Sequence, residues 1–575
     1  MYYSIRFAAF AAAVLAMAPP VTAADAEVEA LLERGNEELH TGRPDEAIVT
    51  FTAAIELDPE CIDAYFGRGW AHYREDLIED SREDFETCLE MDPDFGKTYI
   101  GLAWLAMGSY DFETAREMVE EAVELIPDWE YVYTTRGAIY AMERDVGPAL
   151  ADFNRAIELN PESYMGYFNR AKLSHLVVGD PAASIEDYET AIALRPMLSE
   201  AYAYRAFAHY GMGYPDRAGQ DIETAIQNDP GNWLPYFIRG LIKASEGDLE
   251  GSYSDLTLSL ELDPGQPTAY TNRGVVLLYS GSVDQALEDF GRAIEINPRE
   301  LDAYMNRAIT YMDYLGEKLL ALEDLNRVIE LAPDNYNAYY RRGIIYLEDL
   351  REISSAIADL ERVMEIYPGS EMPYIDRGRA HLMTGDLESA MSDFETALEM
   401  NPASARAYVN RANVHNMLEQ YEQAMADASA ALELEPGYAE GYSIRGAALY
   451  NSGRVEEALA DYNRALEADT LFANAFFERG LINYNLGNLE SALADFDRAV
   501  EIRPDNPVFR FNRGNAYFML EDYRSAVDDY DSAIELDDAY TNCYNNRAMA
   551  RERLGDEEGA LEDYAMVEYL ESIGQ

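Results

Sequence analysis

Residues 408–416 read YVNRANVHN. Tyr408, Ala412 and His415 recur at i, i+4 and i+7, the spacing of one packed side of a helix. Arg411 lies beside that stripe rather than opposite it. Its guanidinium is therefore either a functional group in a pocket or half of an internal ion pair. How often this helix recurs decides between the two.

It recurs along almost the whole chain. Pro59, Pro93, Pro127 and Pro161 stand 34 residues apart, and Pro196, Pro230, Pro264 and Pro298 continue the series. Pro333, Pro368, Pro402, Pro436 and Pro504 follow, with Thr470 and Asp538 filling two slots. The steps 161–196, 298–333 and 333–368 are 35 residues long. Within each unit two helices are predicted. The first carries Tyr at its fourth slot, as at Tyr65, Tyr133 and Tyr270, and Gly or Ala at its eighth, from Gly35 to Ala548. A turn follows, often with Gly, as at Gly281 and Gly385. The second helix pairs a small residue with a larger apolar one four later, as in Ala286/Phe290 and Ala492/Phe496. Proline, unable to continue a helix without losing a hydrogen bond, closes the unit. Small residues on facing helices let two antiparallel backbones approach. One such hairpin cannot bury its apolar faces alone, but a stack of them can.

The arginine slot is filled from Arg34 and Arg68 to Arg513 and Arg547, which is too repetitive for a catalytic centre. An equally repetitive Asp lies three residues after the small position of the second helix. The expected pairs include Arg273–Asp289, Arg411–Asp427, Arg445–Asp461 and Arg479–Asp495. The unit at 96–129 lacks both charges and has Leu102 and Met118 instead, which is what a pair within one unit predicts. A planar guanidinium suits a two-point contact with a carboxylate.

This pattern resembles the tetratricopeptide repeat family over roughly residues 28–575, about 16 units of 34–35 residues. It departs from the family pattern with Tyr for the usual Trp at the fourth slot and Arg for Leu at the seventh. The resemblance implies an all-α, right-handed superhelical solenoid of antiparallel helix hairpins. In that family the first helices line a concave groove that holds peptides or partner segments.

Composition narrows the partners. A chain of 575 residues with 48% hydrophobic content folds into several domains or one extended array. A formal charge of −64 disfavours nucleic acid and anionic membranes as partners. Lysines number only four, Lys97, Lys172, Lys243 and Lys318. An acidic, Lys-poor surface fits either a saline habitat or an ordinarily acidic exported protein. At the start, Arg6 precedes an apolar run from Phe7 to Ala18, too short to span a bilayer, and the small residues at 21–24 suit signal-peptidase cleavage. Residues 1–24 are thus expected to be a signal peptide, residues 25–575 a continuous array, and the location periplasmic or extracellular. No later segment is apolar enough for membrane insertion. Cys61, Cys88 and Cys543 form neither a disulfide framework nor a zinc module, although a Cys61–Cys88 bridge is open.

Chemistry is hard to find. His72, His209, His381 and His415 share the eleventh slot and read as packing residues, with a metal site at His381/His415 as the lesser alternative. No phosphate-binding glycine loop, GxSxG or HExxH occurs. The repeats occupy almost the whole mature chain, so neither an enzyme nor a cofactor is expected. Function is then expected on the face of the first helix opposite its Tyr/Gly stripe. Two features stand there: Phe66, Trp70 and Tyr73 with Ile100, Trp104 and Met107, and a series of asparagines. Asn169, Asn272, Asn306, Asn410, Asn512 and Asn546 share the sixth slot; Asn413, Asn416 and Asn515 lie on the same side. This arrangement resembles the asparagine ladder in the superhelical repeats of O-linked N-acetylglucosamine transferases, although no transferase domain is present. The leading expectation is a non-enzymatic scaffold that binds an extended peptide or protein segment in its groove. The alternatives are a structural component docking by its convex surface or C-terminal end in a cell-envelope complex, and a carbohydrate-binding solenoid. Val567 and Leu570 are expected to be exposed on the final helix, which would allow self-association through the C-terminal repeat.

Overall fold

The computed structural model describes residues 23–572 except Tyr110. The expected signal peptide lies outside the described residues apart from Ala23 and Ala24, which begin the first helix. Among the described residues the chain forms 32 helices in paired hairpins and no strand. Helix α1 (Ala23–His40) pairs with α2 (Pro44–Leu57), α3 (Ile62–Arg74) with α4 (Ile78–Met91), and α5 (Lys97–Gly108) with α6 (Phe112–Leu125). Helix α7 (Glu130–Met142) pairs with α8 (Val146–Leu159), and α9 (Tyr164–Lys172) with α10 (Pro181–Leu194). The same pairing runs on to Thr541–Leu554 with Glu557–Ser572. The chain divides into two compact units, Met1–Pro298 and Arg299–Gln575.

Proline sets where hairpins end. It pushes the preceding residue out of the helical region, and Asp58, Asp263 and Asn401 are accordingly extended (ψ 93°, 98° and 90°). The three 35-residue steps have a structural counterpart. The first helices of those units end in π-helical turns at Leu173–Val178, Thr310–Leu315 and Ile345–Leu350. A single extra residue is absorbed by widening the last turn, and a left-handed residue (Gly179, Gly316 or Arg351) then closes it. The next hairpin therefore resumes in register.

Inside a hairpin the small eighth-slot residue makes room for a ring on the second helix. A Cβ on Gly274 would lie 2.6 Å from Cε1 of Phe290, and one on Gly480 would lie 2.7 Å from Cε1 of Phe496. Those rings are fully buried, between small residues such as Ala286 and Ala293 that are fully buried too.

The repeated Arg and Asp meet within most hairpins, the first excepted, where Thr50 fills the Asp slot and Arg34 pairs with Glu38. Arg411 donates Nε and Nη2 to the two oxygens of Asp427 at 2.7 Å each. Arg273 does the same to Asp289 at 2.8 and 2.7 Å, Arg445 to Asp461 at 2.7 and 3.0 Å, and Arg479 to Asp495 at 3.0 and 2.5 Å. The third nitrogen reaches back to the second helix of the preceding hairpin. Nη1 of Arg170 meets Asn154 at 2.6 Å, Nη1 of Arg342 meets Asn326 at 2.6 Å, and Nη1 of Arg513 meets Asp497 at 2.9 Å. One guanidinium thus ties its own hairpin together and staples it to its neighbour. In the hairpin that lacks both charges, Met118 packs half-buried against an apolar cluster around Val119 and Ala122.

The last helix corrects one expectation. Leu570 is buried, only 5% exposed, and Val567 is half-buried. Both stand on the stripe of Asp563, at i+4 and i+7, and Asp563 faces the preceding helix through its pair with Arg547. The exposed large apolar residues there are Leu561, Met566 and Tyr569 instead.

Candidate functional site

In the first unit, the first helices of five successive hairpins line a cleft of ≈ 730 Å³. Helix α1 contributes Leu32 and Asn36, α3 contributes Phe66, Trp70 and Tyr73, and α5 contributes Ile100 and Trp104. Trp129 enters from just before α7, with Tyr131, Thr134 and Thr135 from α7 and Tyr164, Met165 and Asn169 from α9. An adjoining cavity of ≈ 450 Å³ shares Trp104, Tyr164, Met165 and Asn169 and adds Met107, Phe168, Lys172 and Leu176. Three of the four tryptophans in the chain line the cleft.

These rings are both packed and available. Trp70 lies 5.9 Å from Phe85 of the second helix and 5.6 Å from Tyr73, in each case edge to face. Phe66 makes an edge contact with Phe95 at 5.7 Å. Trp104 donates Nε1 to Thr135 at 3.3 Å. Packing and cleft lining therefore coexist, because each ring buries one side against its hairpin and leaves the other half-exposed. Met107 differs: it is buried, 7% exposed, and reaches only the adjoining cavity.

The polar rim is cationic. Arg74, Lys97 and Arg195 line the cleft, against one carboxylate, Asp63. None of the three cations lies within ion-pair distance of a carboxylate among the described residues. Arg74 donates to the Leu39 carbonyl at 2.8 Å, and the Lys97 ammonium stands 5.7 Å from the Phe95 ring centre. Arg195 donates to the Tyr164 hydroxyl at 2.7 Å and covers that ring at 4.9 Å. Lys172, in the adjoining cavity with Glu200, stands 5.5 Å from Phe168 and 5.2 Å from Tyr204. Sequence reasoning did not single out these cations or Trp129. Arg74 and Lys97 lie at the ends of α3 and α5, whereas Arg195 and Trp129 lie just outside their helices, so no repeat slot marks them.

The asparagines of the second unit are largely engaged. Asn410 and Asn512 each donate one Nδ2 hydrogen to a carbonyl one turn back, at Arg406 and Val508, both at 2.8 Å, so half of their donor capacity is spent on their own helices. Asn416 donates to the Ile444 carbonyl at 3.0 Å. Asn515 accepts from the Tyr530 hydroxyl and from Asn546 Nδ2, both at 2.8 Å. Asn413 stands half-buried beside them. In the same slot Asp376 is fully buried and accepts from the Tyr340 hydroxyl at 2.7 Å and from Arg379 at 3.0 Å. Glu478, also in this slot, is half-buried, and burial pushes its carboxyl above the usual range.

The eleventh-slot histidines turn out to be second partners of the repeated Asp. His72 Nδ1 is 2.9 Å from Asp84 and His209 Nδ1 is 3.0 Å from Asp221; His381 and His415 approach Asp393 and Asp427 at 3.8 and 3.6 Å. Lys243 meets Asp255 at 2.8 Å and Arg551 meets Asp563 at 3.0 Å from the same slot. A donor recurring four residues after the Arg in several units was the signal. His381 and His415 each face their own hairpin's carboxylate, and no group of three candidate metal ligands occurs among the described residues. Cys61, Cys88 and Cys543 are free thiols, and burial pushes Cys88 up to about 12.

Models of the tetratricopeptide repeat match residues 32–94, 267–300, 337–370, 375–439, 445–507 and 507–540. The chain is therefore a tetratricopeptide repeat protein, of a class that generally serves as protein-interaction scaffolds. No curated protein matches the sequence. Among solved structures it is similar to the hetero-tetramer of Cut9 and Hcn1 at 13% identity and a TM-score of 0.48, covering 86% of this chain and 97% of that one. A tetratricopeptide repeat protein from Parabacteroides merdae is 22% identical, with a TM-score of 0.36 over 41% of this chain and 93% of that one. Yeast Tom70 is 15% identical, with a TM-score of 0.34 over 71% and 92%. Among the described residues no helix is long and apolar enough to cross a membrane.

Proposed function

We propose that this chain is a non-catalytic scaffold that holds an extended segment of a partner protein in the cleft of its first unit. The observation that carries the proposal is the gathering of Trp70, Trp104 and Trp129 around one ≈ 730 Å³ cleft spanning five hairpins. Bulky rings supply contact area at low cost in conformational entropy, and a few such residues dominate most protein interfaces. A row of hairpins offers one anchor after another along an extended chain. The test is selection of peptides from a displayed library on the full chain. Selected peptides should bind Trp70→Ala/Trp104→Ala at least about tenfold more weakly, a difference of ~1.4 kcal/mol. Equal binding to both forms would move the interface elsewhere. We further propose that the scaffold acts outside the cytoplasm, on the strength of the apolar run from Phe7 to Ala18. A reporter active only after export, fused behind residue 24, would remain silent if that is wrong.

A further inference from the structure

We propose that the segment held in this cleft is acidic, with carboxylates set between bulky apolar side chains; the inference rests on the scaffold reading above. Carboxylates outnumber basic side chains 108 to 44 in this chain, so a cation with no carboxylate beside it is the exception. Arg74, Lys97 and Arg195 are such exceptions, and all three line the cleft. Lys172, which shares the adjoining cavity with Glu200, is a fourth without an ion pair. Two of the four lysines in the chain therefore stand at this one place. Elsewhere most cations have an acidic residue against them, as with Arg136 and Glu120, or Lys243 and Asp255, although a few, such as Arg217 and Arg553, rest on Tyr214 and Tyr523 with no ion pair. Here the partner charges are missing, and an incoming carboxylate would supply them.

The aromatic geometry favours a polypeptide over a sugar or a base. Phe66, Tyr73 and Phe85 surround Trp70 at 5.6 to 6.4 Å, with Phe66 and Tyr73 at interplanar angles of 86° and 87° and Phe85 at 72°. A ring hemmed in this way forms the wall of a socket for a side chain, whereas sugar rings and bases need an open, flat face. The overall charge of −64 repels an acidic segment at a distance. That repulsion is screened beyond about 10 Å at ~0.1 M salt, whereas contact pairs inside the cleft are screened much less. Acidic chains without the apolar anchors are therefore turned away, and selectivity requires both features together. Helix axes pack about 10 Å apart and extended chain advances ~3.3 Å per residue, so five hairpins accommodate roughly twelve residues.

The experiment uses the full chain and three fluorescent peptides of that length: one alternating Asp with Phe and Leu, its Asn counterpart and its Lys counterpart. Anisotropy titration should show the Asp peptide binding at least about tenfold tighter than either of the others. Lys97→Glu/Arg195→Glu, two exposed positions, should abolish that preference with an unchanged circular dichroism melt. Trp70→Ala/Trp104→Ala should weaken whichever peptides bind. If the Asn or Lys peptide binds as well as the Asp peptide, the acidic inference is overturned, while sensitivity to the tryptophan replacements keeps the cleft reading intact. If no peptide binds, both readings fail. Binding of a polyuronate instead, lost in Lys97→Glu/Arg195→Glu, would identify a carbohydrate occupant and overturn the proposal as well.

Discussion

Replacing Arg273 with Leu should destabilise its hairpin far more than the same change at Arg239. The two sites differ in what remains behind. Asp289 has an 8% exposed side chain and takes two charge-assisted hydrogen bonds from Arg273, at 2.8 and 2.7 Å. Its eleventh slot holds Leu277, which is buried and apolar. Without Arg273 the carboxylate has no cation near it, and an uncompensated buried charge costs about 3–5 kcal/mol. Asp255 keeps the Lys243 ammonium at 2.8 Å when Arg239 is lost, and Arg239 is itself 35% exposed. Solvent screening and the second partner reduce that cost to about 1 kcal/mol. The double variant Arg273→Leu/Asp289→Met copies the Leu102 and Met118 of the uncharged hairpin and should restore most of the loss, since a well-packed apolar pair replaces a buried ion pair at little net cost. A long repeat array has no single unfolding free energy, so the readout is hydrogen exchange of amides in Pro267–Tyr279 and Val283–Ile296. Arg273→Leu should accelerate exchange there by roughly two to three and a half orders of magnitude. Equal acceleration by Arg239→Leu in its own hairpin, or no recovery in the double variant, would refute the reasoning.

Other outcomes follow from single positions. Gly274→Ala should cost about 1–3 kcal/mol, because the new Cβ would meet the Phe290 ring at 2.6 Å, whereas Gly343→Ala has 3.3 Å to its nearest neighbour and should be close to neutral; local hydrogen exchange distinguishes them. Glu521 is exposed and held at φ 62°, so Glu521→Gly should stabilise that turn by about 1 kcal/mol, seen as slower exchange in Tyr523–Leu536. Burial works to raise the Asp255 carboxyl, but hydrogen bonds from Arg239 and Lys243 outweigh it and hold it below the usual range. A depressed folded pKa contributes stability that is fully present above the unfolded value of ~3.9 and lost as pH falls through the folded one. Protection in Leu249–Leu262 should therefore hold down to about pH 5 and fade below ~4, more steeply than in Lys243→Gln.

The hairpins were legible because their cause is local and repeated. Proline, the small slot and the ring opposite it each act within one unit, so the 34-residue period shows them all. The π-helical turns were written in the same ruler as three 35-residue steps, but a step length cannot say whether the extra residue enters a loop or a helix. The pairing of Arg411 with Asp427 could be placed from the joint absence of both charges at Leu102 and Met118. The reach of Arg170 back to Asn154 could not, because the second-helix partner changes identity among Asn, Thr, Ser, Glu and Asp and leaves no single-letter signal. Leu570 was misjudged by treating its helix face as continuous with earlier units; its spacing from Asp563 puts it on the inward stripe.

The cleft was legible only in its aromatic half. Trp70 and Trp104 fall in one slot of consecutive units, so periodicity finds them, whereas Trp129 precedes its helix and belongs to no slot. The cations are a different problem. What distinguishes Lys97 and Arg195 from Lys243 and Arg273 is the absence of a carboxylate nearby, which depends on all the helices around them at once. The asparagines show the converse. Their recurrence is real, but Asn410 and Asn512 each spend one donor on their own helices, and Asn515 and Asn546 bond to each other. A repeated polar residue can thus be consumed by the scaffold that repeats it. The candidates for recognition are polar groups that the repeat leaves without a charge partner, and in the first unit Arg74, Lys97 and Arg195 are such groups beside the tryptophans.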